Sequence, residues 1–428
     1  MDDLLKFLDK IQPTHSRSRS IFSFLSMMKA AVYHEFNGPI NYRSVPKPTL
    51  TSPTSIVVQV MATGVCRSDW HGWKGHDSDI KDHGLPFIPG HELSGIVNQI
   101  GSSVSKVKLG DRIAIPFILS CGSCVECDRS KPTVCLHQAQ PGFTILGSFA
   151  EYVEIPRADR NVRVLPDNVS FVEAAALGCR FTTAYRAVVQ QGLGIICSSS
   201  SSQEPSKGDG DGDGDGKTIC VFGCGGLGLS CVMIAKAFQN EGNVKSIIAV
   251  DVSQQALDKA LELGADHIVN ASAFAFAPPV GLGAISKKGK DHDQDHLVRQ
   301  RVLELTHGWG AELTIDAGGF ASTCENAVHC TRRGGRMIQV GLPIGGRPPS
   351  IPMGVVAGRE LELVGSHGFG AEELPDLLHL VAIKRLQVKK LIEKEVGLKE
   401  GVRALMDMDQ KSPLGMTVIT SFDDSSRL

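Results

Sequence analysis

From Met28 to about residue 178, apolar positions come in short alternating runs separated by Gly- and Pro-containing turns. Residues 28–33, 55–62, 92–100, 111–115 and 149–155 are such runs, rich in Val and Ile. β-Branched residues spaced to fill one face of a pleat predict strands, so this part is a strand-rich domain of irregular outline. From about Lys217 the rhythm becomes strand, glycine turn, helix. Residues 218–222 lead into 229–238 and 246–250 into 253–263; 313–316, 336–340 and 361–364 are further strand runs. Alternating units of this kind build a doubly wound parallel sheet covered on both faces. After Ser366 the pattern gives a helix over 374–383 and a last strand over 416–421.

Two stretches interrupt this order. Residues 197–216 read CSSSSSQEPSKGDGDGDGDG, too polar to bury enough apolar area to order themselves. The Asp-Gly repeat is not a calcium loop. Counting from Asp209 or Asp211, the twelfth position is Cys220 or Phe222, where a bidentate Glu is needed. Residues 273–296 mix Pro, Gly, Lys, Asp and His and read as a second surface insertion. Residues 1–27 read as a disordered extension, with Met27 or Met28 as an alternative start. The Arg/Ser run from His15 to Ser20 has some character of an organelle-targeting segment, but Asp2, Asp3 and Asp9 oppose it.

Composition and charge exclude more than they select. The chain has 428 residues, 42% hydrophobic and 21% charged, an ordinary globular balance with room for two or three domains. Lys and Arg number 44 against 46 Asp and Glu, so no net field draws nucleic acid or an anionic membrane. No apolar run reaches the roughly 18 residues of a membrane-spanning helix. Cysteines spaced for a metal, beside Cys197, Cys220, Cys224, Cys231, Cys324 and Cys330 in core-like settings, point to a reducing compartment and a cytoplasmic protein.

The chemistry begins with Cys121-x2-Cys124-x2-Cys127-x7-Cys135. Four soft, deprotonable sulfurs this close suit Zn²⁺, which takes four such ligands tetrahedrally. A closed set of four leaves no open position, so this zinc is structural. Only Arg129 and Lys131 are basic in that lobe, which argues against a zinc-ribbon nucleic-acid binder. The second signal is Gly223-Cys224-Gly225-Gly226-Leu227-Gly228, placed after an apolar strand and opening a helix. Its glycines permit a tight turn, backbone approach to a pyrophosphate and close helix–strand packing, as in Rossmann dinucleotide-binding units. Asp251 ends the next strand, where a carboxylate accepts from a ribose diol. Val252 and Ser253 follow, with no cation for a 2′-phosphate, so NAD is expected over NADP. Asp251 or Ser253 also suits a helix N-cap.

Three further residues matter only if they meet. Cys66 lies in GVCRSDWH, His91 in PGHE and Cys179 in LGCRFTT. Singly, each has a plain reading as a buried core residue, and periodicity does not bring them together. In order and distance, these blocks, the four-cysteine lobe and the glycine motif together resemble the zinc-containing medium-chain alcohol dehydrogenases. The resemblance runs from about Met28 to the C-terminus, apart from the two insertions.

It implies an α/β chain with a GroES-like, strand-rich catalytic domain over 28–179, a Rossmann NAD-binding domain over 180–365 and a return to the catalytic domain over 366–428. It further implies two zinc ions per chain, the second held by Cys66, His91 and Cys179 with one position open to water or substrate. Asp69 would orient His91, Glu92 would sit behind the metal, Ser68 would bond the alcohol hydroxyl and His71 would pass its proton to solvent. Arg67 would neutralise the pyrophosphate and Thr183 would press on the nicotinamide, with the backbone at Leu342 and Gly365 holding its carboxamide. Phe117, Trp70 and Trp73 would line the substrate cleft.

The implied reaction is reversible hydride transfer between a primary or secondary alcohol and NAD. Resembling polyol dehydrogenases usually carry Glu at the position of Cys179, so Cys179 favours a simple alcohol. A polyol or formaldehyde-type enzyme is the alternative, and a non-catalytic binding protein a remote one. The short run from Cys135 to Phe149 resembles that of tetrameric relatives and implies a homo-oligomer.

Overall fold

The structure is a computed structural model that describes residues 26–195, 216–239, 241–274, 290–343, 347–410 and 413–422. The expectations for residues 1–25 and 197–215 lie outside the described residues. The chain divides into two compact units, with breaks at Thr182/Thr183 and His367/Gly368. Among the described residues, no helix is long and apolar enough to cross a membrane.

The first unit is built on a seven-stranded sheet ordered Ile392–Gly397, Met416–Ser421, Ile56–Val65, Glu92–Ile100, Arg112–Ile115 and Arg163–Val164, with Tyr152–Ile155 also pairing with Ile56–Val65. Ile56–Val65 is the spine: it pairs antiparallel with three strands and eight of its ten residues are buried. A two-stranded ribbon, Met27–Tyr33 with Ile40–Pro46, adds Ala30, Ala31, Val32 and Tyr33 to the same core. The last strand, Met416–Ser421, returns to pair with Thr63–Val65, so strands from both sides of the second unit share one sheet.

Strand register puts two distant sequence blocks side by side. Gly64 pairs with Glu92 on antiparallel neighbours, so Cys66, just past one strand, lies beside His91, just before the other. Cys179 arrives by another route. The helix Phe171–Ala176 starts at a reciprocal cap, where Ser170 Oγ accepts from Glu173 N and Glu173 carboxylate accepts from Ser170 N. It runs on into a wide π-type turn, Leu177–Phe181, the kind of irregularity often found at functional sites. Gly178 has no side chain to hold the turn off the sheet; a Cβ there would lie 2.8 Å from Glu92 Cα.

The second unit is a six-stranded, all-parallel sheet ordered His267–Asn270, Val244–Asp251, Lys217–Phe222, Ala311–Asp316, Thr331–Gln339 and Glu362–Gly365. This is the 3-2-1-4-5-6 order of the Rossmann fold, with its direction change between Lys217–Phe222 and Ala311–Asp316. The sheet carries one strand, His267–Asn270, that the apolar pattern had not marked. A helix, Lys290–Leu305, begins inside the stretch read as a surface insertion over 273–296. Its first turns are too polar for periodicity to find, while Val298 and Val302 further along are buried against the sheet's core.

Gly228 sits where the helix Gly226–Gln239 crosses the preceding turn, and a Cβ there would lie 1.7 Å from the carbonyl oxygen of Gly223. A Cβ on Gly225 would meet nothing within 4 Å. Gly228→Ala is therefore expected to cost about 1–3 kcal/mol of stability, the range of an overpacked core, while Gly225→Ala stays within about 0.5 kcal/mol. Denaturant midpoints of the two variants check this.

Candidate metal centre and cofactor loop

One carboxylate organises the first site. Cys66 precedes the helix Arg67–Trp73, and the Asp69 side chain accepts from Cys66 N at 3.2 Å. The other Asp69 oxygen accepts from Gly90 N at 3.0 Å and bonds His91 Nδ1 at 2.7 Å. Asp69 and His91 are both buried. With the Nδ1 proton donated to Asp69, the Nε2 lone pair points away, and that buried atom has no hydrogen-bond partner. A buried ring nitrogen without a hydrogen-bond partner is costly unless a proton or another cation meets it.

Cys179 completes the set. One ligand atom from each of Cys66, His91, Glu92 and Cys179 lies within 4.8 Å of the others. The Cys179 thiol donates to the Cys66 sulfur, which holds Cys66 well below the usual thiol range against the penalty of burial, with Arg180 and His91 adding positive potential. Cys179 is pushed the opposite way by the same bond and by burial. Burial opposes a charged His91, but Asp69 and Cys66 overcome it and raise its pKa well above the ordinary imidazole value. Two sulfurs and an imidazole that share protons in a buried space are what a divalent ion binds by displacing those protons.

Glu92 is held aside from that trio. Its carboxylate accepts from Arg180 Nε at 3.2 Å and Arg180 Nη2 at 3.4 Å, and the same Nη2 donates to Val65 O at 3.0 Å. Burial lifts Glu92 to about 7 even with Arg180 beside it. Arg180 was missed from the sequence, although it adjoins Cys179 in the LGCRFTT block. An Arg is an ordinary surface residue until its partner is known.

The four-cysteine lobe has a different character. Cys121 Sγ and Cys127 Sγ lie 3.9 Å apart and Cys124 Sγ and Cys135 Sγ 3.8 Å, so all four thiols are unbridged. Metal–sulfur arms of 2.3 Å give a tetrahedron with edges of about 3.8 Å. Backbone N–H groups of Cys121, Gly122 and His137 donate to its sulfurs at 3.2–3.4 Å. The Ser123 N–H holds Cys121 down to about 5, while burial pushes Cys135 up to about 12.

In the second unit, Gly223, at φ +92°, turns the chain at the end of its strand. Asp251 accepts from Cys224 N at 2.6 Å and Ser253 N at 2.8 Å, so it ties the glycine loop to the next strand. Ser253 is the helix cap, its Oγ accepting from Ala256 N at 3.4 Å, which leaves Asp251 outside that role. Cβ space is open at Gly225, as a pyrophosphate lying on that backbone requires. Asp316, buried and also unsuspected from sequence, accepts from Gly318 N, Gly319 N and Gln339 Nε2. It shapes a turn that packs within 2.7 Å of where a Gly223 Cβ would be.

The remaining expected residues fall in varied settings. Ser68 Oγ is 3.8 Å from Cys66 Sγ. Phe117 and Phe143 present their rings to His91 at 6.0 and 5.2 Å; Phe143 had not been anticipated. Trp70 and Trp73 are buried, their indoles donating to Asp409 Oδ1 and Gly38 O. Arg67 stacks on Trp70 at 3.7 Å and donates to Met408 O. Thr183 is buried, Leu342 is exposed, and Gly365 O accepts from Gln191 Nε2 at 3.3 Å.

Residues 52–167 match the alcohol dehydrogenase GroES-like domain and residues 226–382 the zinc-binding dehydrogenase domain. The chain is 30% identical to an alcohol dehydrogenase of Geobacillus stearothermophilus over 92% of its own length and all of that protein. It belongs to the zinc-containing medium-chain dehydrogenase/reductase family. This family member is also 29% identical to a probable D-xylulose reductase A of Emericella nidulans, over 86% of this chain and 90% of the other. Among solved structures, an alcohol dehydrogenase of a Thermus species matches with a TM-score of 0.74 at 25% identity, over 92% of this chain and all of the other. The dehydrogenase is thus a zinc-binding oxidoreductase of the alcohol and polyol class.

Asp69 serves both halves of the candidate metal site in this dehydrogenase, so its loss has a defined signature. Asp69→Asn is expected to weaken zinc binding about 10- to 100-fold, the usual effect of removing a partner that orients a ligand. Competition with a chromophoric chelator measures it.

Proposed function

We propose that the chain is an NAD-dependent, zinc-dependent alcohol dehydrogenase that interconverts a primary or secondary alcohol with its aldehyde or ketone. The single observation carrying this reading is the Cys66–His91–Cys179 trio, whose ligand atoms lie within 4.8 Å of one another while the buried His91 Nε2 has no hydrogen-bond partner. Cys66, His91 and Cys179 would hold one zinc, and Cys121, Cys124, Cys127 and Cys135 a second. The bound cofactors supply Lewis acidity, which makes an alcohol hydroxyl ionisable, and a nicotinamide, which accepts a hydride.

The chain's own residues do the rest. Asp69 fixes the His91 tautomer and holds Cys66 at the head of its helix. Arg180 keeps the Glu92 carboxylate occupied, so that it does not compete with substrate for the metal. Ser68, beside Cys66, would accept and donate in turn as the hydroxyl proton leaves. Burial, together with Arg67 and His76, holds His71 down to about 4. It is therefore neutral at physiological pH, and a proton that reaches it is passed on rather than held. Phe117 and Phe143 give the site an apolar wall beside His91.

A polyol substrate is the second reading, favoured by the D-xylulose reductase relatives. Cys179 weighs against it, since resembling polyol enzymes usually place Glu there. A panel of short, branched and aromatic alcohols beside xylitol and sorbitol, followed by NADH absorbance, separates the two; simple alcohols are expected to give the higher kcat/KM. Metal analysis of active protein is expected to return two zinc ions per chain, and one or none would remove the mechanism.

Asp251 carries the cofactor choice, with no cation at Val252 or Ser253 to meet a 2′-phosphate. Asp251→Ala is expected to narrow the NAD-over-NADP preference about tenfold, the value of a hydrogen bond to a charged group. Kinetics with both cofactors decide it: a purely structural Asp251 would weaken both equally.

A further inference from the structure

The helix Arg67–Trp73 ends in a tight stop. Gly75, at φ +73°, turns the chain so that its N–H donates to Gly72 O at 2.9 Å, and His76 N–H donates to His71 O at 3.0 Å. These two bonds form a Schellman motif, whose geometry brings together the third-last helical residue and the second residue beyond the helix cap. That contact is ordinarily apolar. Here both residues are histidines, with Nδ1 atoms 3.0 Å apart and ring centroids 5.3 Å apart. His71 is half-buried, whereas His76 is exposed.

We propose that His71 and His76 form a two-imidazole proton relay, in which His76 hands to water the proton that His71 takes up during alcohol oxidation. The proposal rests on the dehydrogenase reading above and extends it by one residue. A proton arriving at His71 Nε2 makes an imidazolium; its Nδ1 proton crosses to the lone pair of His76 Nδ1; His76 gives its Nε2 proton to water. One proton enters, one leaves and no electrons move, and tautomer exchange with water restores the starting pair.

The surroundings explain why a second station is useful. Arg67 and the Cys66 sulfur face His71 from its own segment, and burial with Arg67 and His76 keeps the charged form unfavourable. Trp70 lies edge-on to both imidazoles at 4.9 and 5.7 Å. Beyond it, Lys74 pairs with Asp409 at 2.9 Å, and Asp409 also accepts from the Trp70 indole. Among the described residues, no carboxylate is bonded to either imidazole, so His76 Nδ1 is the acceptor at hand. His76 is a positioning residue: its bond also fixes which nitrogen of His71 faces inward.

The test uses the full-length, zinc-loaded enzyme with His76→Phe, which keeps a ring in the Schellman contact, alongside His71→Ala and the double variant. His76→Phe is expected to melt within about 3 °C of the parent, since packing is retained. Its kcat for alcohol oxidation should fall about tenfold below pH 7, a modest share of what a general base contributes, with KM unchanged and partial rescue by added imidazole. The deficit belongs at low pH because proton loss to solvent limits turnover where base is scarce. His71→Ala should show the same profile and the double variant no worse. Nitrogen NMR of labelled histidines should show the His71 proton on Nδ1 in the parent and moving toward Nε2 in His76→Phe. An active parent with an unaltered His76→Phe profile overturns the relay alone. A parent without alcohol turnover overturns the dehydrogenase reading, and the relay with it.

Discussion

The Asp69 carboxylate is the constraint on which the candidate metal centre depends. Its oxygens bond Cys66 N, Gly90 N and His91 Nδ1, so one buried charge holds the first turn of a helix and the lead-in to a strand at a fixed separation. Register alone brings Gly64 opposite Glu92, but it does not aim the side chains that follow. Asp69 does so, and in satisfying His91 Nδ1 it exposes Nε2 as an electron-pair donor. A buried carboxylate with three donors is fully paired, which is the condition under which such a group tolerates a low-dielectric setting.

The two metal-type clusters show how context divides structural from reactive thiols. In the lobe, four sulfurs lie within 4.8 Å of one another and take backbone N–H bonds, a complete ligand set for one ion. In the Cys66–His91–Cys179 cluster, two sulfurs and an imidazole converge, and the fourth nearby group, Glu92, is paired with Arg180. A buried ion pair adds little net stability but strongly resists loss of one partner. Its value here is geometric: it fixes where a competing carboxylate sits beside the trio.

In the second unit, backbone rather than side-chain chemistry makes the site. Gly223, Gly228 and the Gly318–Gly319 turn approach one another more closely than any Cβ permits, and Asp251 and Asp316 fasten the two loops by accepting from their N–H groups. Those loops lie where the strand order changes direction, the usual place for a nucleotide in an open α/β sheet.

The sequence by itself determined the fold class, the four-cysteine lobe and the glycine loop, because each is written in local spacing: pleat alternation, ligands within fifteen positions, and glycines a fixed distance past a strand. It also supplied Cys66, His91 and Cys179 as parts, though only resemblance joined them. Residue spacing did not reveal Arg180, Asp316, Phe143 or the strand His267–Asn270, whose importance lies in partners distant in the chain. His76 was equally silent, since a lone exposed histidine has no meaning until the Gly75 turn folds it onto His71. Tertiary structure decided those, for a physical reason: hydrogen bonds, ion pairs and close backbone approaches act over a few ångströms in space. Only the folded sheet register and helix ends bring those particular atoms within that range.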